Sequence, residues 1–453
     1  MKRKSSFTIL LAMILAGFCQ YVFADYPVAS HRFLADPGAM VYNGRVYLYC
    51  SNDDDNPMDG KGDYRMTSIV CISSSDLKNW TDHGVVFEVP RDAAWAGRSW
   101  APSPVERDDK FFLYFGNGGN GIGVAVADTP LGPFKDPIGK KLIETSTPGV
   151  LPAEHMWLFD PMAFIDDNGQ AYLYFGGNGD DNVRAIKLNE DMISVDGPAV
   201  HLSALYFFEA AWMHKHNNRY YFSYSTQPRA EMRIDYMICD SPMSGFTYGG
   251  VVSLQPPENN NNNHQAIFEF HGQWYQAYHN RIVARESGIP PVYHRNLCVD
   301  QFFHNEDGTI DTMKNTVDGL KQLMYVNPFE RVEAETFNQQ KGIETEPCTN
   351  GSMNICSIEE GDYIRVRGVD FGKGAKKFEA SLSSVSEKGE IEIRLDGPDG
   401  EKLGILIVKN TGDEQAWEIQ SCKISKPIGV HDVYFIFKGP EEESFRFDWW
   451  KVS

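Results

Sequence analysis

The stretch that decides the fold is Asp36-Pro-Gly-Ala-Met-Val-Tyr-Asn-Gly-Arg-Val-Tyr47, in which a polar residue precedes two apolar runs separated by Asn-Gly. Asn-Gly is a residue pair that readily adopts the positive φ angles of a tight hairpin turn. The second run continues as Val46-Tyr-Leu-Tyr49, and its aromatic and β-branched residues are typical of strands. This segment therefore predicts a β-hairpin that begins at a polar anchor, Asp36.

The same unit occurs five times along the chain. The five units run from Asp36 to Tyr47, Ala101 to Phe112, Asp160 to Tyr172, Glu209 to Tyr221 and His264 to Tyr275. An aromatic residue follows each anchor after 11 or 12 positions, and successive anchors are 49 to 65 residues apart. That spacing leaves room for a four-stranded antiparallel sheet each time. Five such sheets predict a five-bladed β-propeller, and a β-sandwich is the structural alternative.

The character of the chain changes after the repeats, at Tyr325-Val-Asn-Pro-Phe329. Alternating apolar and polar residues follow, as in Gly389-Glu-Ile-Glu-Ile-Arg-Leu395, and Gly, Asp and Lys residues separate these runs. This pattern is typical of an antiparallel sandwich. We therefore expect an all-β protein, in which a five-bladed β-propeller over residues 25–325 precedes a β-sandwich (jelly-roll) domain over residues 326–453.

The composition is that of a globular protein, with 42% apolar and 23% charged residues among 453. The 62 acidic residues exceed the 42 basic ones, and the net charge of −20 disfavours nucleic acid as a partner. Seven cysteines follow Cys19, without a CxxC pair or a Cys/His cluster. This pattern favours buried, small apolar residues over a disulfide scaffold.

The N-terminus has the features of a secretory signal peptide. Lys2, Arg3 and Lys4 precede an apolar run from Phe7 to Phe18, and small residues near Ala24 suit cleavage before Asp25. A membrane anchor would need roughly 20 apolar residues, and a lipid anchor at Cys19 is the other alternative. We expect residues 1–24 to be removed, and the mature chain to be periplasmic or extracellular without a membrane span.

Three acidic residues lie in apolar surroundings: Asp36, Asp160 and Glu209. Burying a carboxylate without a partner costs several kcal/mol, so this placement indicates a role. All three are anchors of repeat units. Because the first strand of each blade lines the axis of a propeller, we expect the three carboxylates to converge in one funnel.

Grouped acids in a partly dry pocket separate in pKa, which leaves one protonated and another ionised near neutral pH. Such a pair performs glycoside hydrolysis. Glu209 follows Phe207 and Phe208, so desolvation should raise its pKa most, and we predict it as the general acid. Asp36 is then the general base, and Asp160 positions and tunes the pair. The abundant aromatic residues suit the C–H faces of a sugar.

These segments resemble glycoside hydrolase family 43 over Tyr26 to about Leu323. The resemblance is carried by Ala35-Asp-Pro-Gly-Ala39, Asn43-Gly-Arg-Val-Tyr-Leu-Tyr49, Ser74-Ser-Asp-Leu-Lys-Asn-Trp-Thr-Asp-His-Gly84, Trp100-Ala-Pro, Phe159-Asp-Pro, Phe208-Glu-Ala and Asn305-Glu-Asp-Gly-Thr-Ile310. It implies a five-bladed propeller and an inverting mechanism, with Asp36 as base, Asp160 as pKa modulator and Glu209 as acid.

The resemblance also implies three substrate-binding residues. Trp100 resembles a wall of the sugar pocket, and packing between blades is the alternative. Arg295 resembles an arginine that hydrogen-bonds the sugar, and a structural salt bridge is the alternative. His264 resembles a histidine that faces a metal ion or water at the axis, with calcium as the expected ion. A hydrogen-bonded core histidine is the alternative there.

The C-terminal domain resembles carbohydrate-binding module family 6, from Arg331-Val-Glu-Ala-Glu335 to Phe445-Arg-Phe-Asp-Trp449. By that match Glu333, Glu335 and Asp448 would hold a structural calcium ion, because calcium takes hard oxygen ligands. Exposed acids at strand ends are the alternative.

The chain departs from the module family at two positions. Glu414 and Arg446 stand where the family often has Trp and Asn. We therefore expect one sugar-stacking platform to be lost, which leaves Tyr363 without a partner across the cleft and gives the module a mainly structural role.

The leading hypothesis is an exported inverting exo-glycosidase that releases α-L-arabinofuranosyl units from arabinoxylan or its oligosaccharides. The module arrangement and the segment around Arg295 resemble arabinoxylan debranching enzymes, and this favours arabinofuranosidase. The alternatives are a β-D-xylosidase acting on xylo-oligosaccharides, an endo-arabinanase, and a non-catalytic glycan-binding protein. Plant hemicellulose is the expected partner in each case.

Overall fold

The computed structural model describes residues 27–227, 231–256, 259, 262–316, 319–351, 353–386, 389–439 and 445–453. The signal peptide predicted at residues 1–24 lies outside this part of the chain. Strands dominate, and the helical elements are a five-residue helix α1 (Ile282–Glu286) and a 3-10 turn (Asp53–Asp55). No helix in the described residues has the length and apolar character needed to cross a membrane.

Five antiparallel sheets follow one another from Leu34 to Phe302. The first contains β1 (Leu34–Tyr42), β2 (Arg45–Asn52), β3 (Ser68–Ser74) and β4 (Trp80–Glu88). The second contains β5 (Trp100–Arg107), β6 (Lys110–Gly116) and β7 (Ile122–Ala127). The third contains β8 (Met162–Ile165), β9 (Ala171–Phe175), β10 (Val183–Leu188) and β11 (Val195–Leu202). The fourth contains β12 (Phe207–His216), β13 (Arg219–Thr226), β14 (Arg233–Cys239) and β15 (Thr247–Leu254). The fifth contains β16 (Gln265–Phe270), β17 (Gln273–Asn280) and β18 (Asn296–Phe302).

The five sheets close into a propeller. The first strands contact one another in the order β1, β5, β8, β12 and β16, and β16 contacts β1. The predicted hairpins are confirmed, since the first two strands of every sheet are paired antiparallel. In the first hairpin, Tyr42 pairs with Arg45 across Asn43 and Gly44, whose φ angles are 47° and 73°.

The expectation of four strands in every blade is wrong for the second and fifth blades, which have three among the described residues. After β7 the chain forms only isolated bridges, Val126 with Lys135 and Ile122 with Ile143. This segment contains Pro130, Pro133 and Pro137. Proline has no N–H to donate to a ladder, so a regular fourth strand does not form there.

Three of the five inner strands are bulged at or beside their anchors. Register shifts interrupt the pairing of β1, β5 and β12 at these positions. Positive φ angles occur at Asp36 (47°), Ala101 (46°), Asp160 (49°) and Ala210 (59°). A bulge changes the direction in which the side chain at that position projects from the strand. Neighbouring inner strands also approach closely at Gly38. A Cβ atom on this residue would lie only 2.0 Å from the carbonyl oxygen of Pro102.

The C-terminal domain is a sandwich of two sheets around its own apolar core. One sheet has the order β22 (Glu344–Pro347), β23 (Met353–Cys356), β30 (Arg446–Val452), β25 (Lys377–Ser383) and β28 (Glu418–Lys423), with β19 (Val332–Glu333) paired to β30. The other has the order β21 (Gln339–Lys341), β24 (Tyr363–Asp370), β29 (Val430–Lys438), β26 (Glu390–Leu395) and β27 (Lys402–Ile407). The predicted all-β architecture, a propeller followed by a sandwich, is confirmed.

The two domains share a sheet. The short strand β20 (Thr336–Phe337) of the C-terminal domain pairs with the outer strand β4 of the first blade. Beside this pairing, the buried carboxylate of Asp82 accepts hydrogen bonds from Arg32 Nε (2.6 Å) and from Thr345 Oγ1 (2.6 Å), and His31 Nε2 lies 2.9 Å from it. Charged and polar groups therefore join the propeller to the sandwich.

The prediction that the cysteines are not a disulfide scaffold is confirmed in the described residues. All seven cysteines after Cys19 are free, and six of them are buried.

Candidate active site

One cavity of about 410 Å³ lies where the bulged inner strands meet. Its lining includes all six residues predicted as catalytic or substrate-binding: Asp36, Trp100, Asp160, Glu209, His264 and Arg295. The expected convergence of chain-distant acids is therefore found in the structure. The separate chemical roles of these residues are predictions.

Asp36 is buried beside one guanidinium and two imidazoles. Arg295 Nη1 donates to its Oδ1 at 2.6 Å, and the Nδ1 atoms of His279 and His264 lie 3.6 and 3.8 Å from the same oxygen. Burial alone would raise the pKa of Asp36, but Arg295 and the two histidines lower it to about 2. Asp36 is therefore ionised at neutral pH, as a general base must be.

Glu209 is in the opposite situation. It is buried, and its Oε1 has no hydrogen-bond partner in the described part of the chain. Burial and the nearby charges of Asp160 and Asp36 raise the pKa of Glu209 well above its usual range. The protonated form of Glu209 is therefore favoured, as a general acid requires.

Asp160 lies between these two residues in the network. The backbone N–H of Ala210, next to Glu209 in the chain, donates to Asp160 Oδ2 at 3.0 Å. His264 Nδ1 is 3.8 Å from the same oxygen. Burial and the charge of Asp36 raise the pKa of Asp160 well above its usual range. Asp160 thus couples the ionisation of Asp36 to that of Glu209.

Arg295 forms a buried ion-pair cluster. Its Nε and Nη2 each donate to Asp53 at 2.8 Å, while Nη1 donates to Asp36. Its guanidinium carbon also lies 4.8 Å from the ring centre of Tyr64. The salt-bridge alternative for Arg295 is thus present in the structure, and hydrogen bonding of Arg295 to a sugar stays a prediction.

Aromatic side chains form the other walls of the cavity. Trp100, Trp157, Phe159 and Phe208 line it together with Tyr64. The indole of Trp157 packs edge to face against both Phe159 and Phe208, and 41% of this residue is exposed. Flat apolar rings of this kind stack on the C–H faces of sugars. The cavity therefore combines carboxylate chemistry with a surface suited to carbohydrate.

Sequence reasoning missed several residues of the site, including Asp53, Tyr64 and His279. Asp53 contacts Arg295, which is 242 residues away in the chain, and His279 Nδ1 accepts the backbone N–H of Asp36 at 3.2 Å. Asp53 begins the acidic run Asp53-Asp-Asp55, which looks like solvated surface in the sequence. Only the closed ring of blades brings these residues to the anchors.

The carboxylates predicted to bind calcium lie in the C-terminal domain. Arg331 donates to both oxygens of Glu333, at 2.8 and 2.7 Å, and to Asp448 at 3.3 Å, and Glu335 and Asp448 are buried. Thus the guanidinium supplies the positive charge beside these acids. Among the described residues, neither here nor near His264 do three His, Cys, Asp or Glu side chains form a group able to hold a metal ion. Calcium therefore stays a prediction at both places.

The two departures from the module family meet in the structure. Arg446 Nη2 lies 3.1 Å from a carboxylate oxygen of Glu414, and Arg446 Nε is hydrogen-bonded to Glu346. An ion-pair cluster thus involves both positions where the family often has Trp and Asn. The ring of Tyr363 packs at 5.9 Å from that of Tyr434.

Comparison with known proteins gives the same assignment for both domains. The model of glycosyl hydrolases family 43 matches residues 25–310, and that of carbohydrate binding module family 6 matches residues 333–453. An arabinoxylan arabinofuranohydrolase of Bacillus subtilis (strain 168) is 40% identical in an alignment that covers 94% of this chain and 92% of that protein. An arabinoxylan arabinofuranohydrolase of Paenibacillus polymyxa is 39% identical, over 91% of this chain and 72% of that protein.

A solved structure extends this similarity to three dimensions. The crystal structure of a family 43 arabinoxylan arabinofuranohydrolase from Bacillus subtilis, in complex with cellotetraose, superposes with a TM-score of 0.89 at 39% identity. The match covers 95% of this chain and 97% of that one. The chain therefore belongs to glycosyl hydrolase family 43, is a glycoside hydrolase, and carries a family 6 carbohydrate-binding module as its C-terminal domain.

Proposed function

We propose that this protein is an inverting, exo-acting α-L-arabinofuranosidase that removes arabinofuranosyl units from arabinoxylan or its oligosaccharides. The observation that carries the proposal is the pair of buried carboxyl groups in one cavity, of which Asp36 is paired with Arg295 at 2.6 Å and Glu209 has an oxygen without a partner in the described residues. The arabinoxylan arabinofuranohydrolases that match nearly the whole chain support the choice of sugar and polymer.

The roles follow from the two ionisation states. Asp36 takes a proton from a water molecule as the water oxygen attacks the anomeric carbon. The bond from that carbon to the glycosidic oxygen breaks, and Glu209 gives its proton to the leaving oxygen. Asp160 accepts the backbone N–H of the residue after Glu209, and because both carboxyl groups are buried in one cavity, ionising the two together is unfavourable, which keeps the pKa of the acid raised. Attack opposite the leaving group inverts the anomeric configuration.

The shape of the site favours release of single sugar units. The cavity is of ordinary small-ligand size, and aromatic side chains wall it. An endo-acting enzyme would need an open groove that accommodates a chain on both sides of the cleaved bond. Product sizes distinguish these two modes of action.

The proposal is tested by giving the purified protein nitrophenyl α-L-arabinofuranoside, nitrophenyl β-D-xyloside and arabinoxylan. We expect release of free arabinose from the polymer, with NMR showing β-arabinofuranose as the first product. Cleavage of the xyloside alone would make the enzyme a β-D-xylosidase, and release of oligosaccharides from arabinan would make it an endo-arabinanase. Binding of glycan without turnover would support the non-catalytic alternative.

We further propose that the protein is exported and that a calcium ion binds beside Glu333, Glu335 and Asp448. Export rests on the basic and apolar N-terminal segment, and a polymeric substrate outside the cell is consistent with it. Mass spectrometry of the protein from its native host should show a chain that begins at Asp25, and a retained leader would refute cleavage. Calcium rests on the type of donor, since carboxylate oxygens are what this ion takes.

A further inference from the structure

Arg281 is a buried cation that the proposed chemistry does not use. It is 1% exposed and does not line the cavity. All its hydrogen bonds in the described structure go to neutral oxygens, belonging to amide, hydroxyl and backbone carbonyl groups. Burying a charge without an opposite charge beside it is unfavourable. The position of Arg281 therefore needs an explanation beyond packing.

The partners of Arg281 belong to the walls of the active site. Nη2 donates to Asn262 Oδ1 at 2.9 Å and to the Tyr64 hydroxyl at 3.2 Å, and both residues line the cavity. Nη1 donates to Asn259 Oδ1. Asn259 and Asn262 belong to the asparagine tract that precedes the fifth inner strand, and residues 260 and 261 of that tract lie outside the described residues.

The chemistry of the guanidinium determines which way the amide of Asn262 is turned. A guanidinium has only donors, so the group of Asn262 that faces Arg281 must be its amide oxygen. The NH₂ group is then on the other side of the carboxamide. No described residue accepts a hydrogen bond from Asn262 Nδ2, although Asn262 lines the cavity.

We propose that Arg281 is a positioning residue that holds Asn262 with its NH₂ group directed into the cavity, where it donates to a hydroxyl oxygen of the bound sugar. This inference rests on the proposed function, because it concerns the sugar held in the same cavity. The proposal gives Asn262, a residue of the asparagine tract, a role in binding the sugar.

A second contact ties Asn262 to the base. His279 Nε2 donates to the backbone oxygen of Asn262 at 3.2 Å, and His279 Nδ1 accepts the backbone N–H of Asp36 at 3.2 Å. Asn259 Nδ2 also donates to the backbone oxygen of Asn262 at 2.6 Å. His279 thus links the residue that carries the amide group to the proposed base. A sugar bound by Asn262 would therefore be held at a fixed position relative to Asp36.

The sharpest test is Asn262→Asp in the full-length enzyme. The new carboxylate keeps the contact to Arg281 as an ion pair but has no proton to donate to the sugar. We expect the KM for nitrophenyl α-L-arabinofuranoside to rise about 10-fold or more, as loss of one hydrogen bond to a ligand predicts, with an unchanged or higher Tm. A KM within about twofold of the wild-type value would overturn the inference.

Arg281→Met tests the positioning step. It should raise KM in the wild-type background but change it by less than about threefold when added to Asn262→Ala, because coupled residues are not additive. Arg281→Lys should restore part of the binding. Full additivity, or a fall in kcat without a change in KM, would contradict the inference, and Asn262→Asp decides alone if Arg281→Met does not fold.

The control is Arg91→Met, since Arg91 lies between β4 and β5, does not line the cavity, and has a side chain that is 55% exposed. This variant should keep the wild-type KM. If wild-type protein hydrolyses no pentoside, the proposed function fails. If it hydrolyses arabinofuranosides and Asn262→Asp binds them normally, only the inference fails.

Discussion

Asp36 and Glu209, two carboxyl groups of similar intrinsic acidity, have pKa values that their surroundings shift in opposite directions. Asp36 has Arg295 at 2.6 Å, whereas Glu209 has an oxygen without a partner in the described structure. Both groups are buried, so the difference in pKa comes from their neighbours, chiefly Arg295 beside Asp36 and the other two carboxyl groups beside Glu209. At the scale of single residues, the different surroundings of Asp36 and Glu209 are what the proposed acid and base roles depend on.

Replacing the acid should slow the reaction. Glu209→Gln removes the proton donor while keeping the shape of the side chain, and we expect kcat on arabinoxylan oligosaccharides to fall by about 10²- to 10⁴-fold. Nitrophenyl arabinofuranoside, whose leaving group needs less protonation, should lose less. Kinetics on both substrates, together with calorimetric binding of an oligosaccharide, check this. An unchanged rate on the oligosaccharide would contradict the acid role of Glu209.

The pH dependence should respond to Arg295. In the proposed mechanism activity requires ionised Asp36, so it should be lost as the pH falls through the pKa of Asp36, which Arg295 helps to hold at about 2. Arg295→Met leaves burial as the main influence, and this raises the pKa of Asp36. The acid limb of the kcat/KM profile should therefore move to higher pH, while Arg295→Lys, which keeps the charge, should move it less. An acid limb that stays in place in Arg295→Met would show that Asp36 is not the base.

The acids could be found in the sequence because local signals mark them: each begins a repeat unit and lies among apolar residues. Their partners carry no such local signal. Arg281, Asp53 and His279 look like ordinary polar residues until the ring closes. Arg295 was indicated only by the family resemblance, and its contact with Asp36 spans 259 residues of sequence. Contacts of that range depend on how blades pack, which local patterning does not specify.

At the scale of elements, the hairpins were predictable because turn residues and aromatic strands are local features. The number of strands per blade was not, since three prolines after β7 prevent a ladder that spacing alone would allow. The strand β20 was also missed. It has two residues and is defined by its partner β4 in the other domain, so no periodicity reveals it.

The junction of β4 and β20 should depend on Asp82. Asp82→Asn leaves Arg32 without its buried ion-pair partner, and we expect the free energy of unfolding to fall by about 3–5 kcal/mol. Arg32, His31 and Thr345 lower the pKa of Asp82, so its stabilisation is present at neutral pH and is lost as the pH falls below about 4. Unfolding in denaturant at pH 7 and pH 3 checks both statements.

Asp128 offers a matched control for this measurement, because its side chain is 82% exposed and pairs with Lys110 at the surface. Asp128→Asn should change stability by less than about 1 kcal/mol. Equal losses in the free energy of unfolding for the two substitutions would mean that the buried ion pair of Asp82 stabilises the junction no more than a surface pair does.

At the scale of the whole molecule, the C-terminal module is joined to the propeller through a shared sheet. It adds a strand to the first blade, and Arg367 and Asn338 of the module contact Asn79 and Lys78 of the propeller. Its departures from the module family form an ion-pair cluster around Arg446. These features favour a supporting role for the module over capture of glycan at that platform.

Calcium should act on this module. If the ion binds beside Glu335 and Asp448, Arg331 must give up part of its contact with the acids, and calcium should raise the Tm of metal-free protein. The ion should have no effect on Asp448→Asn. Thermal unfolding in calcium or in EDTA measures this. Identical curves for wild-type protein in both buffers would remove the calcium proposal.

The bulge that recurs at the start of inner strands allows the side chain at that point to vary while the backbone pairing of the blade stays the same. Backbone hydrogen bonds hold each blade together whichever side chain projects from this point, as Ala101 does in the second blade where the first has Asp36. Exchange of one amino acid there can add or delete an ionisable group without disturbing a single ladder. A propeller of this kind can thus acquire a new reaction while its scaffold stays the same.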